Sequence, residues 1–127
     1  MNQLYIPPTY KDPLIDFNPN GILWLKGRSI PEDAYDFYGD LIDWVKQLCD
    51  VPPDKVVFNI ELTNHNDGAS KFLIQILHLL KEGISDFGVN WYYEEWDDEI
   101  IFLGNSIAEV TNVDFNFVEI ENDSKKT

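Results

Sequence analysis

Apolar residues follow two alternating spacings along the chain, and these spacings predict a succession of strands and amphipathic helices. Apolar runs at 14–17 and 22–25 predict two strands, and the Asn-Pro-Asn-Gly sequence between them predicts the turn of a β-hairpin. From residue 34 to residue 48, apolar side chains recur every three or four positions. This spacing predicts a first helix, with Pro31 in its first turn and its end near Asp50.

The second half of the chain continues this alternation of strands and helices. The run at 55–62 begins with consecutive apolar residues, which predicts a central strand covered on both faces. Gly83 and Gly88 are expected to bracket the second helix's end and the turn into the next strand. The other predicted elements are helices at about 68–81 and 97–110 and strands at 89–93 and 115–120.

The resulting order, β-β-α-β-α-β-α-β, predicts an α/β fold with three main helices on a mixed central sheet of about five strands. The N-terminal β-hairpin makes the sheet mixed. A single domain is expected to span 1–127, with an extended arm at 1–12 and a polar tail at 121–127.

The chain is strongly acidic, since 9 basic and 23 acidic residues give a net charge of −14. This charge repels nucleic acid and anionic membranes, and it favours a protein partner with a basic surface. The sequence has neither a signal-peptide pattern nor an apolar run long enough to span a bilayer, so a cytoplasmic protein is expected. The single cysteine, Cys49, is interpreted as a small buried hydrophobe.

Candidate chemistry is concentrated at 58–73, where a strand passes through a short polar turn into an apolar helix. Unpaired backbone N–H groups at a helix N-terminus favour negative charge. Either Asn66 or Asp67 is expected to be the N-cap. The expected partner-binding surface consists of Asn66, Asp67, Gly68, Ser70 and Lys71.

The sequence contains no familiar catalytic, phosphate-binding or paired-cysteine motif, so no catalytic residue, cofactor or metal ligand is assigned. The acidic run at 94–99 lacks the ligand spacing of a calcium loop. A small enzyme that uses His65 and Asp67 as a base and its partner is an alternative function. Binding ranks above catalysis because no nucleophile is arranged around these two residues.

Two separated motifs carry a family resemblance. Residues 27–38 read Gly-Arg-Ser-Ile-Pro-Glu-Asp-Ala-Tyr-Asp-Phe-Tyr, and residues 89–95 read Val-Asn-Trp-Tyr-Tyr-Glu-Glu. The first resembles the Gly-Arg-Ser-Tyr-Pro-Glu-Asn-Ser-Tyr-Glu-Phe-Tyr signature of the SiaC family of bacterial regulatory phosphoproteins, and the second resembles another signature of that family. The resemblance extends from about Ile6 to Ile120 and implies a fold similar to the STAS domain of anti-sigma-factor antagonists.

The resemblance also implies a phosphorylation switch. In the family, a dedicated kinase phosphorylates a threonine at the strand–helix junction, and a PP2C-type phosphatase removes the phosphate. In the best-known system the unphosphorylated protein binds a diguanylate cyclase and promotes cyclic-di-GMP synthesis, which favours biofilm formation. The chain is therefore expected to be a non-enzymatic regulator with these three proteins as partners. A small-ligand-binding STAS-like module, with 91–93 as a pocket wall, is a further alternative, although ordinary packing is the preferred interpretation of those aromatics.

The chain departs from the family at the switch position. Alignment on Asn66 and Lys71 places the family's phosphorylated threonine on Asp67, and the next two family serines are glycine and alanine here. Three interpretations follow: Asp67 is a partial mimic of the phosphorylated state, Ser70 is a displaced phosphosite, or the switch is lost and the protein binds constitutively. Loss of the standard switch is the preferred interpretation.

Overall fold

The structure is a computed structural model that describes residues 1–121, with the exception of the Asp67 side chain. The predicted polar tail therefore lies outside the described residues beyond Glu121. No helix in the described part is long and apolar enough to cross a membrane. The described elements are β1 (Leu4–Ile6), β2 (Leu14–Phe17), β3 (Ile22–Ser29), α1 (Ala34–Asp50), β4 (Lys55–His65), α2 (Asp67–Gly83), β5 (Asp86–Tyr93), α3 (Asp98–Thr111) and β6 (Phe115–Glu119).

The described strands form one sheet in the order β1-β2-β3-β4-β5-β6. The strands β1, β2 and β3 are antiparallel neighbours, whereas β3 to β6 run parallel. The hairpin, the mixed sheet and the three helices confirm the predicted fold class. The sheet has six strands where the sequence predicts about five.

The additional strand, β1, lies in the segment for which an extended arm is predicted. Leu4 and Ile6 pack against the hydrophobic core, and β1 pairs with β2 along its whole length. The indole Nε1 of Trp44 on α1 donates a hydrogen bond to the Asn2 carbonyl at 2.8 Å. These non-local contacts hold a strand of three residues that is too short to show a periodic pattern of its own.

All three helices cover the same face of the sheet. The parallel strands succeed one another in sequence order, and right-handed crossovers that advance in one direction place every helix on one side. Accordingly, α1 packs against α2, and α2 against α3. Val56, Phe58 and Ile60 of β4 are buried on the helix side. The prediction that β4 is covered on both faces is therefore wrong, because the opposite face carries no helix among residues 1–121.

The helix-free face carries a row of asparagines in its parallel part. Asn59, Asn90 and Asn116 are register partners on β4, β5 and β6. Asn116 Nδ2 donates to Asn90 Oδ1, and Asn90 Nδ2 donates to Asn59 Oδ1, each at 3.0 Å. Trp24 and Tyr92 stack on this face with ring centroids 5.4 Å apart. Asn59 Nδ2 in turn donates to the Leu23 carbonyl at 3.3 Å, so the row carries paired polar groups on the face that has no helix.

Two element starts differ from those that the sequence predicts. The helix α1 begins at Ala34 with Asp33 as its N-cap, so Pro31 precedes the helix instead of opening it. The strand β5 begins at Asp86, so Gly88 lies within the strand and not in the preceding turn. Both differences are shifts of a boundary by a few residues. The cap at Asp33 sets the start of α1, and pairing with β4 sets the start of β5.

Candidate functional site at the start of α2

The candidate site lies where β4 passes into α2. The strand continues through His65, beyond its predicted end at Leu62, and α2 begins at Asp67. Asn66 alone connects the two elements, with an extended backbone at φ −124° and ψ 169°. Its side-chain Oδ1 accepts a hydrogen bond from the Ala69 N–H at 2.9 Å. Asn66 is therefore the N-cap, which settles the choice between Asn66 and Asp67.

The N-cap is anchored to the core through Ser29 at the end of β3. The backbone carbonyl of Ser29 accepts a hydrogen bond from the Asn66 N–H at 3.2 Å. The buried side-chain hydroxyl of Ser29 lies 2.5 Å from the Tyr38 hydroxyl on α1. The Tyr38 ring stacks on Phe72 of α2, with centroids 5.8 Å apart and planes 7° from parallel. Burial raises the pKa of Tyr38 to about 12, so its phenol is neutral at physiological pH. The motif at 27–38 thus joins β3, α1 and α2 around the cap.

The residues of the predicted partner-binding surface lie together at the cap and the start of α2. Gly68 is half-buried, and a Cβ at this position would lie 3.3 Å from that of Ala34 on α1. Ser70 is also half-buried, and its hydroxyl lies 3.5 Å from the Asn66 carbonyl. Lys71 is exposed. The structure brings these residues to one place, and their role in binding stays a prediction.

A cleft of about 470 Å³ opens beside the cap, between the end of β4 and the segment that leads into α3. Asn64 and His65 line one side of it, and Trp96 and Asp98 line the other. A groove of about 460 Å³ runs from His65 along α3, where Phe102 contributes to its wall. Neither Trp96 nor Phe102 belongs to the site that the sequence predicts. For Phe102 the sequence does hold a signal, because this aromatic residue falls beside the predicted core stripe of its helix.

The aromatic strand segment at 91–93 contributes mainly to packing. Trp91 is fully buried, and its Nε1 donates to the Ile100 carbonyl at 3.0 Å. Tyr92 stacks on Trp24, and Tyr93 lines a small cleft of about 110 Å³. These contacts support the interpretation of the segment as core and cross-strand packing. In the described part of the chain, no group of three or more His, Cys, Asp or Glu side chains could hold a metal ion.

Solved structures of SiaC from Pseudomonas aeruginosa share this architecture. The crystal structure of apo-SiaC has 26% sequence identity and a TM-score of 0.82, and the match covers 95% of this chain and 100% of that one. A crystal structure of the diguanylate cyclase SiaD in complex with its activator SiaC matches with 26% identity and a TM-score of 0.84, over 92% of this chain and 99% of that one. An uncharacterised protein of P. aeruginosa strain UCBPP-PA14 is 28% identical over 113 residues, which are 86% of this chain and 90% of that protein.

A sequence model of one family matches nearly the whole chain. The family is described as SiaC family regulatory phosphoprotein, and the match covers residues 6–120. This range confirms the resemblance carried by the motifs at 27–38 and 89–95. The chain therefore belongs to the SiaC family of regulatory phosphoproteins.

Proposed function

We propose that this protein binds a diguanylate cyclase through the start of α2 and controls cyclic-di-GMP synthesis, without being an enzyme itself. The observation that carries the proposal is the SiaD–SiaC complex, in which a chain with this fold is the activator of the cyclase. The net charge of −14 fits a partner with a basic surface. In this proposal the protein is cytoplasmic, and its action on the cyclase favours biofilm formation.

We further propose that the family's phosphorylation switch is lost in this chain. Position 67 is the first residue of α2, where the helix dipole and unpaired N–H groups favour negative charge. An ionised aspartate there supplies one negative charge, whereas a phosphothreonine supplies about 1.5 to 2. Asp67 is thus at most a partial imitation of the phosphorylated residue, and the protein acts as a constitutive binder.

Ser70 is a poor replacement for the missing threonine. Its side chain is half-buried, and its hydroxyl lies 3.5 Å from the Asn66 carbonyl in the same helical turn. A kinase would have to draw this hydroxyl away from the helix start before phosphate transfer. The kinase and the PP2C-type phosphatase of the family remain proposed partners that recognise the same surface.

The test of the proposed function is reconstitution with the purified diguanylate cyclase of the same host. We expect the rate of cyclic-di-GMP formation from GTP to rise and saturate as the full-length protein is added. Lys71→Ala should weaken this activation, because it removes an exposed side chain from the proposed surface. Lys55→Ala is the matched control, since Lys55 is exposed at the opposite end of β4. A rate that does not respond to the protein contradicts the proposal.

A further inference from the structure

Two large apolar side chains lie exposed on the outer side of α3, and no described element covers them. Ile100, Gly104 and Ile107 are buried on the inner side of the helix. Phe102 and Val110, in contrast, are 73% and 63% exposed. A helix that packs on one side of a sheet normally presents polar residues to water on its other side. Phe102 and Val110 therefore interrupt an outer side that is otherwise polar, and the packing of the described residues does not use them.

We define the α3 stripe as Phe102, Ser106 and Val110. These residues are four positions apart, so they lie along one side of the helix. The small side chain of Ser106 leaves a notch between two large apolar residues, into which a side chain of a second helix can pack. The groove of about 460 Å³ extends from His65 to Ser106. Because His65 directly precedes the N-cap Asn66, the α3 stripe is continuous with the candidate site.

Exposed carboxylates border the α3 stripe. Asp98 and Glu99 lie at its N-terminal end, and Glu109 lies next to Val110. A second copy of this chain, with the same net charge of −14, would bring carboxylates against carboxylates. Lysine and arginine side chains beside an apolar face would instead complement this border. The charge therefore selects a basic partner over self-association.

We propose that the α3 stripe is a docking surface for an amphipathic helix of the partner protein, with basic residues on both sides of its apolar face. Phe102 is the expected anchor, because an exposed aromatic side chain has a large apolar area to bury. The mode of contact is that of a helix laid into a groove. This inference rests on the proposed function in one respect: the partner is the protein bound at the start of α2, and the α3 stripe extends that contact.

The test uses the ¹⁵N-labelled full-length protein and synthetic helical peptides of about 18 residues, or about five turns. The probe peptide contains leucine and lysine, with the leucines on one face. A second peptide replaces each lysine with glutamate, and a third has the composition of the probe in an order that scatters the leucines around the helix. We expect the probe alone to bind and to shift the amide resonances of the α3 stripe.

Phe102→Ala should raise the Kd of the probe peptide about tenfold. Its fold should be retained because the side chain is mostly exposed, and its amide spectrum checks this. Ile22→Ala is the matched control, since Ile22 is a half-exposed apolar residue on β3, and it should leave the Kd unchanged. Absence of binding, resonance shifts elsewhere, or equal binding of the scattered peptide would overturn the inference.

The cyclase reconstitution separates the two proposals. If the native protein activates the cyclase and Phe102→Ala activates it equally well, the α3 stripe is not the docking surface, and the proposed function stands. If the probe peptide binds at the α3 stripe but the native protein does not activate the cyclase, the docking surface stands, and the proposed function fails.

Discussion

The hydroxyls of Ser29 and Tyr38 lie 2.5 Å apart in the core and connect the end of β3 to α1. Ser29 is 0% and Tyr38 is 1% exposed, so each hydroxyl depends on the other for a hydrogen bond. The Ser29 carbonyl also accepts the Asn66 N–H, which places this pair next to the N-cap of α2. The contact therefore links the position of α1 to the geometry of the candidate site.

Tyr38→Phe should destabilise the protein by removing one member of this pair. The Ser29 hydroxyl would remain buried without its partner, and the free energy of unfolding should fall by about 1–3 kcal/mol. Urea unfolding followed by circular dichroism measures this change. Tyr35→Phe is the matched control, because Tyr35 is 77% exposed and its change should stay within about 0.5 kcal/mol.

The double variant Ser29→Ala with Tyr38→Phe gives the outcome that would contradict this account. The double variant leaves no unpaired hydroxyl in the core. Its loss of unfolding free energy should therefore be smaller than the sum of the losses in the two single variants. Strictly additive losses of unfolding free energy would show that the two hydroxyls do not stabilise each other.

Tyr38 should also make the protein less stable at high pH. Burial raises its pKa to about 12 in the folded chain, above the ordinary value of 10.0. Between these two values the unfolded chain loses the proton and the folded chain keeps it. The contribution of Tyr38 to stability is therefore complete below about pH 10 and falls by about 1.4 kcal/mol per pH unit until the pH reaches the folded pKa of about 12.

The measurement compares the unfolding free energies of the native protein and Tyr38→Phe from about pH 9 to about pH 12. Other ionisable groups are common to both proteins and cancel in the difference. The unfolding free energy of the native protein should exceed that of Tyr38→Phe by less and less as the pH rises above about 10. A difference that does not change with pH would contradict the raised pKa of Tyr38.

The helices and most strands could be predicted because each carries its own periodic pattern. The helix α1 has apolar residues at helical spacing, and its buried residues include Tyr38, Leu41 and Val45. The strand β1 could not be predicted, because its three residues depend on pairing with β2 and on contact with α1. The open face of β4 could not be predicted either. The buried Asn59 resembles an interruption in an apolar strand until the row that it forms with Asn90 on β5 and Asn116 on β6 is known.

The location of the candidate site was predictable, whereas its anchoring was not. A strand, a polar turn and an apolar helix are consecutive, so the sequence alone locates the helix start at Asn66 and Asp67. The contact between Ser29 and Tyr38 joins two elements through side chains, which no spacing rule indicates. The sequence does not predict the α3 stripe, because the apolar pattern of this helix is explained by its core-facing residues. Phe102 lies on the side of the helix that faces away from the core.

Asn66→Ala should weaken the start of α2. The Ala69 N–H would lose its side-chain acceptor, and loss of such a cap costs about 1 kcal/mol. This corresponds to a fall of about 4 °C in Tm for a chain of this size, measured by thermal unfolding. Asn66→Asp retains an acceptor and should keep a Tm close to that of the native protein. Asn64→Ala, at an exposed position of β4, is the control, and a Tm as low as that of Asn66→Ala would rule out a specific capping effect.

Asp67→Thr should restore a phosphate acceptor at the switch position. We expect the family kinase and ATP to add one phosphate to Asp67→Thr and none to the native protein, as measured by intact mass spectrometry. The reason is that residue 67 opens α2, where unpaired backbone N–H groups and the helix dipole favour an added phosphate. The phosphate should persist when Ser70→Ala is added to Asp67→Thr. A phosphate on the native protein that disappears in Ser70→Ala would instead identify a displaced site.

The same variant determines which switch state Asp67 imitates. Cyclase activation is compared for the native protein, for Asp67→Thr and for phosphorylated Asp67→Thr. We expect the native protein to behave like unphosphorylated Asp67→Thr, because one carboxylate supplies only about half of the charge of a phosphate and fewer acceptor oxygens. Activation by the native protein at the level of the phosphorylated variant would show that Asp67 imitates the phosphorylated state, and that the protein is not a constitutive activator.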